Sequence, residues 1–410
     1  MRHTMHTLLL LMVVGATILS TGCSTTSPCA VESAVSPPAK SWQRIAFVGH
    51  SFTDGGTWPY LLRQALVEAG HGEPYLINAA VNGMLATGAR PQFDRTVLRF
   101  NPDLVIFFIG INAANQDAFR PAMEEMIAKS RDQGADVILV THLMFAPDDM
   151  GPADMTDPYK VAHALAHQRA GGTTATTWIA AAGEEVDQRE LAPLYGAIIC
   201  EGKPAMMHAF EQGHWLWDGD RVHLNFGGNR AIARAVLDSM GHRDVPVPTM
   251  PDIRVLPGLV TTWQLRPAAA GEPALTEAAV ADLLKNFMPD GGGWTTYTLP
   301  EAPRTPVSWW DEQLRREGYA TRLEQTMGRA ERYIGVATYR ASEAGTVFIN
   351  TGAGLRAVWF NGREVFRVGG WEGFHIGARR VEVDVVAGDN TIVIETGGQF
   401  ALTVTPGLLW

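Results

Sequence analysis

The chain has 410 residues, more than one hydrophobic core usually serves, which predicts two folded units. Hydrophobic residues at 46% and charged residues at 19% describe a folded chain rather than a disordered one. A formal charge of -10 with no lysine or arginine run argues against a nucleic-acid partner, because phosphate binding needs a clustered basic surface.

Residues 1–22 predict an export signal: Arg2 and His3, an apolar run from Leu8 to Leu19, then "STGC". A spanning helix needs about 20 apolar residues, so a cleaved leader is the expectation. "LSTGCS" resembles a bacterial lipobox, with Ser20 where Leu is usual. That resemblance implies lipidation of Cys23 and attachment to a membrane of the cell envelope, in the periplasm or at the outer membrane; ordinary cleavage and a free secreted protein are the alternative. Residues 23–42 are small, polar and proline-bearing, as a flexible tether is. Cys29 and Cys200 are the remaining cysteines, so one disulfide is permitted and none required.

From residue 43 the runs "IAFV", "YLIN", "DLVIFFIG" and "DVILVTH" alternate with helical stretches, the pattern of a parallel α/β sheet. Leu61, Leu62, Ala65, Leu66 and Ala69 share one helical face, and Gly70 stands where a helix stop is expected. Open α/β sheets carry ligands at the carboxyl ends of their strands, and Ser51, Gly83 and Asn112 each follow an apolar run. A serine nucleophile needs a base, a group that orients the base, and donors for the oxyanion. "WDGDRVHLN" supplies Asp220 and His223 at a spacing that lets the carboxylate reach one imidazole nitrogen. Gly83 offers an unhindered backbone N–H and Asn112 a side-chain amide.

Four segments occur in order: "GHSFTDGG", "VNGM", "GINAAN" and "DRVHLN". Together they resemble the SGNH hydrolases, also called GDSL-like lipases and acylhydrolases, over about residues 43–242 of a domain expected at 43–244. The resemblance implies a three-layer, flavodoxin-like α/β domain with Ser51 as nucleophile and Asp220 and His223 completing the triad. It also implies an oxyanion hole of the Ser51 and Gly83 N–H groups and the Asn112 amide, and no cofactor or metal. His50 and Ala113 depart from the family, which commonly has Asp at each place. His50, His142, His208 and His214 are candidate pocket residues, with exposed loop positions the alternative for His208 and His214, and His163 with His167 in "HALAH" makes a surface or packing pair rather than a metal site.

A proline-rich linker at 245–258 precedes residues 259–410, whose β-branched runs and Asn-Gly turn predict an all-β sandwich. "VWFNGREVF" and "VVAGDNTIVIE" resemble the galactose-binding-like jelly rolls attached to carbohydrate-active enzymes, modules that bind sugar in some cases and brace their neighbour in others. Trp263, Trp294, Trp309, Trp310, Trp359 and Trp371 are candidates for sugar stacking, with core packing the commoner role. The expected function is an exported serine esterase acting on an acyl group, acetyl on a glycan being favoured. A lipid or lysophospholipid ester is the alternative substrate, and an inactive glycan-binding protein the alternative class.

Overall fold

Each apolar run of the first half forms a strand: β1 (Arg44–Gly49), β2 (Tyr75–Asn78), β3 (Leu104–Phe108), β4 (Asp136–Val140) and β5 (Ile198–Cys200). The structure is a computed structural model that describes residues 40–406 apart from 55, 111–115, 142, 171–178, 250–257, 290, 299–322, 324–326, 353, 369–378 and 399. The leader with Cys23, Cys29, Asn112, His142, Trp309, Trp310 and Trp371 therefore lie outside the described residues.

The five strands pair in parallel in the order β2-β1-β3-β4-β5. Their side chains alternate between two cores. Ile45, Phe47, Ile106, Phe108 and Ile138 face helices Trp58–Glu68, Gly202–Glu211 and Phe226–Ser239. Ala46, Val48, Val105, Phe107 and Leu139 face helices Gln116–Asp132 and Ile179–Tyr195. This is the expected three-layer, flavodoxin-like arrangement, and its strand order reverses between β1 and β3, where such sheets open a ligand crevice. Gly70 takes φ +76 just past helix Trp58–Glu68, as a helix stop requires.

Residues ahead of residue 43 pack on the α/β domain. Lys40 Nζ pairs with Asp136 Oδ2 at 2.5 Å, and Trp42, 6% exposed, donates its Nε1 to the same oxygen at 2.9 Å. Beyond Asp244, Val245 is buried, and the Pro248 carbonyl accepts from Arg230 Nε at 3.0 Å. The first residues of the expected linker thus pack on the α/β core. Cys200 is buried on β5 without a disulfide, and burial pushes its thiol up to about 12.

The C-terminal strands are β6 (Thr262–Pro267), β7 (Thr295–Thr298), β8 (Tyr333–Ala341), β9 (Gly345–Gly352) and β10 (Leu355–Phe360). They continue with β11 (Arg363–Arg367), β12 (Arg379–Val385), β13 (Gly388–Thr396) and β14 (Ala401–Thr405). Their pairings are antiparallel, in sheets of order β11-β10-β13-β8-β6-β7 and β12-β9-β14. Both sheets contribute to one core, with Trp263, Tyr333, Val358 and Ile392 from the larger and Ile349, Val383 and Leu402 from the smaller. Asn361 and Gly362 turn β10 into β11 at φ 50 and φ 82, the left-handed pair that makes Asn-Gly a hairpin turn.

A helix accompanies the antiparallel sheets. Helix Glu277–Lys285, capped by Thr276, lays Val280 against Ile334, Trp359 and Val393 on the larger sheet. Trp263 and Trp359 are fully buried core residues, whereas half-buried Trp294 stands edge-on to Phe287 with the Arg266 guanidinium 5.3 Å from its ring.

Arg266 also forks onto Glu272 at 2.6 and 2.9 Å. Those bonds, against an opposing effect of burial and aided by the Ala269 amide, hold the Glu272 carboxyl down to about 2. A depressed acid stabilises the fold above its ordinary pKa, and that contribution is lost as pH falls through the folded value. Thermal melts from pH 5 to pH 2 should therefore show wild type losing stability steadily. Glu272→Gln should start lower and converge with wild type near pH 2; parallel curves would show that this pair contributes nothing.

Candidate active site

β1 ends at Gly49, where a Cβ would lie 2.8 Å from the Phe108 carbonyl oxygen and 2.6 Å from Thr53 Oγ1, so only glycine fits beside β3. The chain then turns at once into the single-turn helix Ser51–Asp54, whose Thr53 and Asp54 amides donate to the His50 carbonyl at 2.9 Å each. Ser51, 8% exposed, thus stands at the carboxyl end of β1, at the point where the strand order reverses.

The loop after β2 is drawn along the end of β1. Ala79 N donates to Phe47 O at 2.8 Å, Val81 N to Gly49 O at 3.1 Å, and Asn82 N to Asp54 Oδ2 at 2.8 Å. Asp54 is fully buried in the same turn as Ser51, so its carboxylate fastens the Gly83 loop to the serine turn. Gly83 takes φ +73 with open space where a Cβ would be, so backbone conformation rather than crowding selects glycine there.

Asp220 and His223 sit at the tip of a hairpin. Trp217 and Leu224 form an antiparallel bridge, Asp218 N donates to His223 O at 2.8 Å, and Asn225 N donates to Leu216 O at 3.1 Å. Inside this frame the Val222 and His223 amides both donate to Asp220 Oδ1 at 2.9 Å, and His223 Nδ1 lies 2.5 Å from Asp220 Oδ2. A carboxylate only accepts, so Nδ1 carries the proton and Nε2 is left as the basic nitrogen. Burial works to raise the Asp220 pKa, but the His223 ring and the two amides outweigh it and hold the carboxyl below its ordinary value. The His223 ring meets Phe52 edge-on at 5.6 Å, which brings the imidazole to the turn that carries Ser51.

One contact network leaves no local trace in the sequence. Asn229, fully buried on helix Phe226–Ser239, accepts from Thr57 N at 2.9 Å and Trp58 N at 3.1 Å with Oδ1. Its Nδ2 donates to Leu224 O at 3.1 Å and Asn225 O at 3.0 Å. One amide therefore ties the segment after His223 to the helix that follows the serine turn. Asp54 and Asn229 were both absent from the expected site.

His50 is buried beside the serine turn. Its ring is 1% exposed and packs on Phe52 at 5.0 Å and Phe108 at 5.5 Å, so aromatic packing encloses it. His214 is exposed in the turn after helix Gly202–Glu211, and His208 is exposed on that helix. His163 and His167 are exposed on helix Pro158–Arg169, with His163 stacked on Tyr159 at 6.5 Å. Among the described residues, no group of three or more His, Cys, Asp or Glu is placed to hold a metal ion.

Residues 47–231 match the model of the GDSL-like lipase/acylhydrolase family. Among solved structures the chain is similar to LAE5, an alpha/beta hydrolase from the metagenome of Lake Arreo in Spain, with 17% identity over 49% of this chain and 96% of that one and a TM-score of 0.38. It is likewise similar to Axe2, an acetylxylan esterase from Geobacillus stearothermophilus, with 15% identity over 50% of this chain and 96% of that one and a TM-score of 0.40. No curated protein matches the chain.

Proposed function

With residues 47–231 a GDSL-like lipase/acylhydrolase domain, and so a carboxylic ester hydrolase, we propose that the chain is an exported serine esterase whose nucleophile is Ser51. The observation that carries this reading is the Asp220–His223 pair at 2.5 Å, packed against the residue next to Ser51 at the carboxyl end of β1. Nε2 of His223 takes the Ser51 proton as Oγ attacks the ester carbonyl, and Asp220 stabilises the imidazolium that forms. The tetrahedral oxyanion is held by the Ser51 and Gly83 N–H groups and the Asn112 amide. Collapse expels the alcohol, which takes the proton from His223, and water then releases the acid from Ser51 by the same steps in reverse.

The favoured substrate is an acetyl ester on a glycan. The leader with its lipobox-like Cys23 supports an envelope location, and the β-rich C-terminal region resembles modules of carbohydrate-active enzymes. That region acts here as a brace: Arg380 of β12 donates to the Leu76 carbonyl of edge strand β2 at 3.2 Å, with its guanidinium 5.3 Å from the Phe100 ring.

A panel of sugar acetates and of esters with progressively longer acyl chains, run beside a serine-directed fluorophosphonate, tests the reading. Acetyl esters should give the highest kcat/KM, with the probe on Ser51. A preference for long chains would favour the lipid ester, and absence of both turnover and labelling would favour the binding protein.

A further inference from the structure

Arg221 lies between Asp220 and His223 at φ +62, in the left-handed region that L-residues avoid because Cβ crowds the following carbonyl. Glycine, Asn or Asp ordinarily fills such a position. Here the side chain instead leaves the hairpin altogether. Nη1 donates to the Met150 carbonyl at 2.8 Å, Nη2 donates to the Pro147 carbonyl, and the guanidinium lies 5.8 Å from the centre of the Trp215 ring. Pro147 and Met150 belong to the segment that follows β4, on the ligand-binding side of the sheet. The same segment accepts Trp217 Nε1 on the Met144 carbonyl at 3.3 Å. Three carbonyls of one segment therefore hold the hairpin, and a single side chain takes two of them.

We propose that Arg221 is a positioning residue for the Asp220–His223 pair, its planar fork fixing the left-handed turn so that Asp220 stays on Nδ1 and the imidazole stays beside the serine turn. The inference rests on the esterase reading for its kinetic consequence but not for its structural one. Arginine suits the task because its donors diverge in a fixed plane and reach two carbonyls at once, which a lysine ammonium on a flexible stem does not reproduce. The fork bonds neutral carbonyls, while Asp220 accepts from the Val222 and His223 amides and pairs with the imidazole.

The test uses the full chain with Arg221→Gly, which accepts the left-handed backbone and removes only the fork. On a soluble acetyl ester kcat should fall about 10- to 100-fold, the scale of a misplaced catalytic group, with KM changed less than about twofold. Millimolar guanidinium should restore part of the lost rate, and Arg221→Lys should remain slow. A second readout needs no turnover: the proton between His223 Nδ1 and Asp220 should give a far-downfield NMR signal in wild type that broadens or disappears in Arg221→Gly. If wild type hydrolyses no ester, the esterase reading fails and the NMR signal still judges the positioning. Arg221→Gly with wild-type kcat and an unchanged downfield proton would overturn the proposal.

Discussion

Ser51→Ala is expected to lower ester hydrolysis by at least about a thousandfold, with a melting temperature close to that of wild type. The residue removed is one hydroxyl in a turn whose backbone is already fixed, because the amides of Thr53 and Asp54 and the strand pairing of β1 do not involve it. His223→Ala should be comparably slow, since no other residue at the hairpin tip presents a basic nitrogen to the serine turn. Asp220→Asn discriminates further. The amide can still accept at Oδ1 from the Val222 and His223 amides, but its NH2 faces Nδ1 and forces the proton onto Nε2, the wrong tautomer for a base. A loss near four powers of ten, as in other triads, is the expected size. Fluorophosphonate labelling should fail in all three variants. A folded Ser51→Ala protein that keeps more than a tenth of wild-type activity would move the nucleophile elsewhere.

The parts of this site that were legible share a local cause. The run into Gly49 ends where β1 ends, and the three-residue spacing of Asp220 and His223 suffices for their contact because one turn spans it. Asn361-Gly362 declares its turn through the conformations those residues tolerate. The parts that stayed hidden are settled by partners far along the chain. His50 stands next to the serine, and its ring packs on Phe108 of β3, a partner that local sequence does not reveal. Asp54 lies in the serine segment, but its partner Asn82 is 28 residues on. Helix Glu277–Lys285 covers a sheet of the β-rich region, a nine-residue amphipathic stretch set among strand-patterned segments. Trp42 and Lys40 extend the folded part into the expected tether because Asp136 lies within reach of both.

The second large effect is expected at Asn229, whose partners Thr57 and Trp58 lie 172 and 171 residues away. Thr57 provides no side-chain cap for helix Trp58–Glu68, so Asn229 Oδ1 supplies the acceptor at that helix start from another element. Asn229→Ala removes this acceptor and leaves two buried amides without it, besides withdrawing a donor from Leu224 O and Asn225 O. Unsatisfied buried groups cost about 1–3 kcal/mol each, so a loss of about 3 kcal/mol or more is expected. For a domain of this size that corresponds to a fall of roughly 6–12 °C in melting temperature. The kcat should fall with it at temperatures where the protein remains folded, because the amide joins the segment after His223 to the helix after Ser51. Asn229→Asp separates the acceptor from the donor. Its carboxylate keeps the bonds from Thr57 and Trp58 but turns an oxygen toward two carbonyls, an environment that raises its pKa above the unfolded value. The stability of that variant should then be greatest below the ordinary Asp range and decline as pH rises through the folded pKa. Melting curves between pH 4 and pH 8 should show Asn229→Asp nearing wild type at the acid end and falling away from it toward neutrality. A change of less than about 2 °C in Asn229→Ala would mean that water replaces these bonds at no cost and that the serine and histidine segments are held together by apolar packing alone.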